Sequence, residues 1–208
     1  MNDKSFILFE DINEDLLKKW QEIADLIAKI MSVPAALIMK TENKYMEVFV
    51  SSKTDQNPYK PGDKEKWDGL YCETVIKTQK ELVIPDATAD PLWSNNPDIK
   101  LGMIAYLGYP INFPDRRPFG TLCVLDNKEN EFSNIYKDIL SKFRDAIESD
   151  ISLLQEIIER KRAEKKLKET VEELKFMNDI MVGREIKMTE LKQEINELLK
   201  ESGKEPKY

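Results

Sequence analysis

The chain has 208 residues, 41% of them apolar and 34% charged, with a mean hydropathy of -0.53, a formal net charge of -7 and an isoelectric point near 5.0. That length suits one domain of roughly 150 residues plus an extended element, and a charged fraction above the ~25% of an average domain predicts a solvated helix somewhere. The acidic balance argues against nucleic acid, whose affinity comes from Lys and Arg neutralising phosphates, and no run of about 18 apolar residues exists to span a membrane.

From Asp11 onward, Ile12, Leu16, Trp20, Ile23, Ile27 and Ile30 recur every three or four residues, which predicts a helix over 12–31 with Asp11 or Asn13 as its cap and Pro34 closing the stretch. "AALIMK" (Ala35 to Lys40) and "YMEVFVSS" (Tyr45 to Ser52) read as two strands of a hairpin around the turn "TENK". The following stretch, "KTDQNPYKPGDKEKWDG", reads as a polar loop broken by Pro58, Pro61 and Gly62. A helix starting near Gly69 places Cys72, Val75, Ile76 and Gln79 on one face, with Cys72 inward. "ELVIPD" is a short buried strand. The irregular "ATADPLWSNNPDIKLG" follows, and "MIAYLGYPI" and "PFGTLCVLDN" are two more strands around "NFPDRR".

From Phe132 to about Ser202 there is no proline and one glycine, Gly183, so the charged surplus is assigned to a long helix starting near 132. Its apolar stripe runs through Ile147, Ile151, Leu154 and Ile158, and resumes at Leu167, Val171, Leu174 and Met181. A stripe this long and narrow fits a coiled coil, and pairing with a second copy is the simplest way to cover it. The spacing slips around Gly183, which reads as a break or kink. The run "RKRAEKKLK" reads as the solvated face of that coil.

The chemistry on offer is limited by the absence of histidine. Cys-His and Ser-His-Asp catalysis are excluded, a phosphoaccepting histidine is missing, and two lone cysteines without CxxC spacing make no zinc site. No GxGxxG or GxxxxGK loop occurs. The start, Met1 to Glu10, lacks the pattern of a signal peptide, and two cysteines make no secreted disulfide framework, so a cytoplasmic location with free thiols is expected. A thiol at a helix start has the setting that activates nucleophilic cysteines, yet free cysteine is also among the most buried residue types.

The order of these elements, and the wording "GLYCETVIKTQKELVIPDATADPLWSNNPDIKLGMIAYLGYPI", "PFGTLCVLDN" and "FSNIYKDIL", closely resembles the GAF domains of bacterial and archaeal sensor proteins over residues 10–150. The segment 151–202 is similar to the connector helices that join such modules to output domains. The resemblance implies an α+β fold: a twisted antiparallel sheet of five or six strands, terminal helices bundled on one face, and the irregular segment closing a pocket on the other. Pocket candidates are then Tyr71, Cys72, Val75 and Trp93, with Met103, Tyr106, Tyr109 and Cys123 from the strands; Trp67 flanks them, and Asn95, Asn96 and Asp98 either cap the next helix or touch a ligand. Some members reduce free methionine sulfoxide with cysteines, and others attach bilins beside histidines that this chain lacks. The cyclic-nucleotide residue set is not found. The implied function is a non-catalytic homodimeric sensor of a small molecule, with no cofactor assigned and its output in a partner protein or further domain, such as a histidine kinase pathway. The alternatives are a thiol redox enzyme or redox sensor using Cys72, and a dimerisation scaffold without ligand.

Overall fold

The computed structural model describes residues 9–208, Glu10 by its backbone alone, so most of the stretch from which no signal peptide was expected lies outside it. The chain forms two compact units that divide between Glu156 and Ile157.

In the first unit, six strands, β1 (Ala35–Glu42), β2 (Tyr45–Ser51), β3 (Lys64–Lys66), β4 (Leu82–Ile84), β5 (Ala105–Asn112) and β6 (Pro118–Asp126), form one antiparallel sheet in the order β3-β2-β1-β6-β5-β4. Helix α1 spans Glu14–Met31; Asn13 caps it, its Oδ1 accepting from the Leu16 amide at 2.9 Å, and Ser32 ends it in the left-handed conformation. The helix therefore starts two residues later than 12, because the cap has to stand outside it. Strands β1 (Ala35–Glu42) and β2 (Tyr45–Ser51) make the expected hairpin. Its two-residue turn has Asn43 and Lys44 both at positive φ, the twist that two-residue hairpin turns favour. β3 (Lys64–Lys66) was read as loop: the sequence Lys-Glu-Lys has no apolar alternation, and as a short, fully charged edge strand it needs none.

Helix α2 is Tyr71–Thr78, with Gly69 at a φ of 87° turning the chain before it. Gln79, expected on its inner face, is its exposed left-handed terminator. β4 (Leu82–Ile84), a short 3-10 turn at Pro97–Leu101, β5 (Ala105–Asn112) and β6 (Pro118–Asp126) complete the unit.

Helix α3 runs Asn134–Glu201. It begins beyond 132 because Phe132 stands at positive φ and Ser133 supplies the cap, its Oγ accepting from Tyr136. The break expected at Gly183 does not occur: a single glycine costs a helix only about 1 kcal/mol, too little to interrupt one this long.

The central strands β1, β6 and β5 are buried on both faces for most of their length. On one, α1 and the start of α3 cover an aromatic cluster in which Trp20 meets Phe119 edge-on at 5.8 Å and Phe49 at 6.1 Å. The two helices are clamped by Asp150, which accepts from Trp20 Nε1 at 3.0 Å and from Lys19 Nζ at 2.6 Å. On the other face, α2 covers the alternate residues of the same strands, Leu37, Met39, Cys123 and Leu125 among them.

In the second unit, the α3 residues Leu167, Val171, Leu174 and Met181 are exposed, and so are Phe176, Met177, Ile180, Val182 and Ile186. Among the described residues no helix is long and apolar enough to cross a membrane.

β6 leaves no room for a side chain toward β1 at Gly120, where an added Cβ would lie 1.7 Å from the Met39 carbonyl oxygen. Gly120→Ala is expected to cost about 2–4 kcal/mol in urea unfolding, because backbone has to move. Gly183→Ala, with open space and helical backbone, is expected to be neutral or to stabilise by up to about 1 kcal/mol.

Candidate functional site

Between the sheet and α2 lies a cavity of about 300 Å³, within the range of ligand pockets. Its floor is apolar because successive strand residues alternate between faces. β1 contributes Leu37 and Met39, β2 contributes Met46 and Val48, and β6 contributes Cys123 and Leu125. Tyr106 on β5 and Cys72 on α2 form the inner wall, and Tyr59, Asp98 and Leu101 reach it from loops. Asp63, Lys64 and Glu65, all exposed, stand at the opening.

The inner wall is a hydrogen-bonded set. The Thr121 hydroxyl donates to Cys72 Sγ at 3.2 Å, and the Tyr106 hydroxyl lies 3.4 Å from the same sulfur. Tyr106 reaches it by lying along β5 over Gly108, where an added Cβ would fall 2.2 Å from its hydroxyl oxygen. Tyr71 stacks on Tyr106 at 4.7 Å, and Trp93 packs on Tyr71 at 5.1 Å. Cys72 and Cys123 are free and buried. The Cys123 thiol and the Thr121 and Tyr106 hydroxyls lower the Cys72 pKa, while burial raises it. Cys123 is held well above the ordinary thiol value by Cys72 and by burial.

The polar end is built differently. Asn96 caps the 3-10 turn, its Oδ1 accepting from the Asp98 amide at 2.9 Å, and its Nδ2 donates to the Gly69 carbonyl at 2.8 Å, which ties that turn to the start of α2. Asp98 is thereby placed at the cavity, where its Oδ1 accepts from the Tyr59 hydroxyl at 2.7 Å. Burial pushes the Asp98 carboxyl up to about 6, against the Tyr59 hydrogen bond, which lowers it; Glu65 adds a like charge. The Tyr59 hydroxyl is raised well above its ordinary value by burial and by Asp98, so it stays a donor.

Of the residues proposed for the pocket, Cys72, Tyr106 and Cys123 line it. Tyr71, Val75 and Met103 are buried in the surrounding core, with Trp93 packed against it, and do not line the cavity. Tyr109 is a correction. Three positions along β5 from Tyr106, it points to the other face, donates to Glu81 and carries the Arg144 guanidinium of α3 5.8 Å from its ring. Of the two roles open to Asp98 and Asn96, Asn96 takes the cap and Asp98 lines the cavity. Tyr59 was missed, since a tyrosine in a loop between two prolines gives no periodic signal.

A profile of the GAF domain matches residues 15–151, and the chain belongs to the GAF domain family, a family of ligand-binding sensory domains. No curated protein sequence matches the chain. Solved structures with this fold include the GAF domain of an Acinetobacter phosphoenolpyruvate-protein phosphotransferase, 17% identical with a TM-score of 0.54 over 71% of this chain and 90% of that one. The blue-light absorbing form of the Thermosynechococcus elongatus PixJ GAF domain is 13% identical, with a TM-score of 0.63 over 76% and 96%. The free methionine-R-sulfoxide reductase of Neisseria meningitidis, solved with its substrate, is 11% identical, with a TM-score of 0.57 over 68% and 80%. At these identities the likeness is one of fold.

The raised Asp98 pKa has a consequence for stability. Between the unfolded value near 3.9 and about 6 the folded chain holds the extra proton, so this group's contribution falls as pH rises through that window and is flat above it. Asp98→Asn is expected to remove that slope and to raise stability at pH 7.5 by about 1–2 kcal/mol, read by urea unfolding at several pH values.

Proposed function

We propose that this chain is a non-catalytic sensory module that binds a small molecule in the cavity and passes its occupancy to a dimeric coiled coil formed by α3. The observation that carries this reading is the cavity itself: an apolar chamber of about 300 Å³ with one pair of placed polar groups, Tyr59 and Asp98, at its edge. A ligand preferring one position of the loops that carry that pair would shift the sheet's population of states. The sheet is linked to α3 where the Asn112 amide donates to Glu148 at 2.8 Å, two residues before the Asp150 clamp. The exposed seam Leu167, Val171, Leu174 and Met181 fits pairing with a second copy, to which Ile147, Ile151, Leu154 and Ile158 were also assigned. Of those, Ile147 and Ile151 are already buried within the first unit, so the proposed seam begins beyond them. Signal output falls to a partner protein or another domain, and the reading places the module in the cytoplasm.

A second reading is favoured by one observation, the hydrogen bonds that aim at Cys72 Sγ. In it Cys72 is a redox thiol, and treatment with peroxide or methionine sulfoxide would consume one thiol per chain and a reductant would restore it. A scaffold without a ligand is disfavoured by the open cavity.

Two measurements test the sensor. Native mass spectrometry of the purified chain is expected to show a dimer, and a metabolite screen is expected to find a compound that raises Tm by mass action. Val171→Lys with Leu174→Lys is expected to give monomers by light scattering while leaving the same compound's shift in place. A dimer indifferent to both substitutions would sink the coiled-coil part, and a thiol consumed with turnover would favour the redox reading.

A further inference from the structure

The cavity's charge is one-sided. Three carboxylates, Asp63, Glu65 and Asp98, line it against a single cation, Lys64. That cation is engaged elsewhere: its Nζ lies 3.7 Å from Glu47 and 5.5 Å from the centre of the Tyr45 ring. No arginine lines the chamber among the described lining residues, so a phosphate or carboxylate would meet an excess of negative charge. The inner half is also distinctive. Met39, Met46, Cys72 and Cys123 bring four sulfur-bearing side chains to the same lining as Tyr106, a polarisable wall that suits a flat or aromatic body.

Resting on the sensory reading above, we propose that the cavity is a site for a cationic amine, an ammonium group paired with Asp98 and carried on an apolar, preferably aromatic, body seated among the sulfurs. The carboxylate is suited to this because burial already holds it poorly solvated, and an incoming ammonium supplies the counter-charge the protein leaves out. Tyr59 fixes the carboxylate's orientation by donating to Oδ1. The same charges disfavour cyclic nucleotides and organic acids.

The groups around Asp98 define its pH response. Tyr59 faces it from the loop, Glu65 from β3, and Tyr71, Cys72, Tyr106 and Cys123 from α2 and the sheet, with Lys100 on its own turn. The tyrosines and Cys123 are pushed upward and stay neutral below pH 7.5, so the groups left to change charge there are the carboxylates and Cys72, whose thiol the Cys123, Thr121 and Tyr106 hydrogen bonds lower against burial.

The test uses the full chain and three probes that differ only at their polar end: 2-phenylethylamine, 2-phenylethanol and 3-phenylpropanoate, titrated by ligand-observed NMR. At pH 7.5 the amine is expected to bind at least about tenfold more tightly than the carboxylate, a factor worth about 1.4 kcal/mol. Asp98→Asn, a variant expected to fold at least as well, should weaken the amine by about tenfold or more, and Tyr59→Phe by less. Lowering the pH from 7.5 to 5 should weaken the amine with the native chain and much less with Asp98→Asn. Equal binding of amine and carboxylate, an unchanged amine affinity in Asp98→Asn, or no amine binding at about 10 mM overturns the assignment. If the alcohol or carboxylate binds and a cavity-filling Val48→Trp abolishes it, the sensory cavity stands and only the amine falls. Silence from every probe, with no cargo and no metabolite shift, removes both.

Discussion

The architecture depends on one constraint: the three central strands are covered on both faces. β6 is buried at every position from Phe119 to Asp126, and beyond the register shift at Phe119, opposite Ile111 and Asn112, its alternate residues feed two different cores. Phe119 and Leu122 belong with Trp20 under the terminal helices, while Cys123 and Leu125 belong with α2. A shift of one residue in the β1–β6 register would exchange the two sets, putting aromatic bulk into the cavity and small sulfur-bearing side chains under the helices. Gly120 guards that register, since only a residue without Cβ lets β6 come so near Met39. Rings fill the helix-facing core, whereas the α2-facing one, although it holds Tyr71 and Tyr106, keeps a cavity.

The hydrogen-bonded pair at the cavity's edge stands off the strands. Tyr59 and Asp98 come from two irregular segments 39 residues apart, one anchored by Asn57 to Ser51 and Ser52, the other by Asn96 to Gly69. Each anchor is an amide side chain satisfying backbone or hydroxyl groups, which gives the loops fixed positions without regular structure. Holding a carboxylate half-buried there costs stability. Such a cost is common at functional sites, where a group is kept poorly solvated until a partner arrives.

These features explain what the sequence could reveal. Helix α1, the β1–β2 hairpin, β5 and β6 were readable because their apolar periods are set by burial, and burial is what periodicity records. Tyr106 and Cys123 share the cavity side of the sheet for that reason. Tyr109 went astray because its aromatic character was weighed above its parity along β5, although the three-residue offset from Tyr106 was visible in the sequence. β3 and Tyr59 were not readable at all. A charged edge strand and a loop tyrosine owe their roles to residues distant in the chain, and single-sequence patterns carry no long-range information. Asp98 lay between, legible as a turn residue in "NNPDIK" while its true neighbour was 39 positions away.

The second unit poses the opposite problem, since its sequence says more than its conformation. From Leu167 to Met181 apolar residues follow the 4-3 spacing of a seam, with Asn178 falling on it, the kind of polar insertion that sets register in coiled coils. Around Gly183 the apolar residues spread wider: Phe176, Met177, Ile180, Val182 and Ile186 lie off that line, and all are exposed. A two-stranded seam covers a narrow stripe and cannot bury all of them. The glycine, with no side chain and open space around it, sits in the middle of this broader band and leaves the helix thin at its most apolar point. Helix stability alone gives no reason for that arrangement, because alanine would serve a lone helix better by about 1 kcal/mol. The helix nevertheless runs unbroken through Gly183, where the slip in spacing pointed to a break or kink.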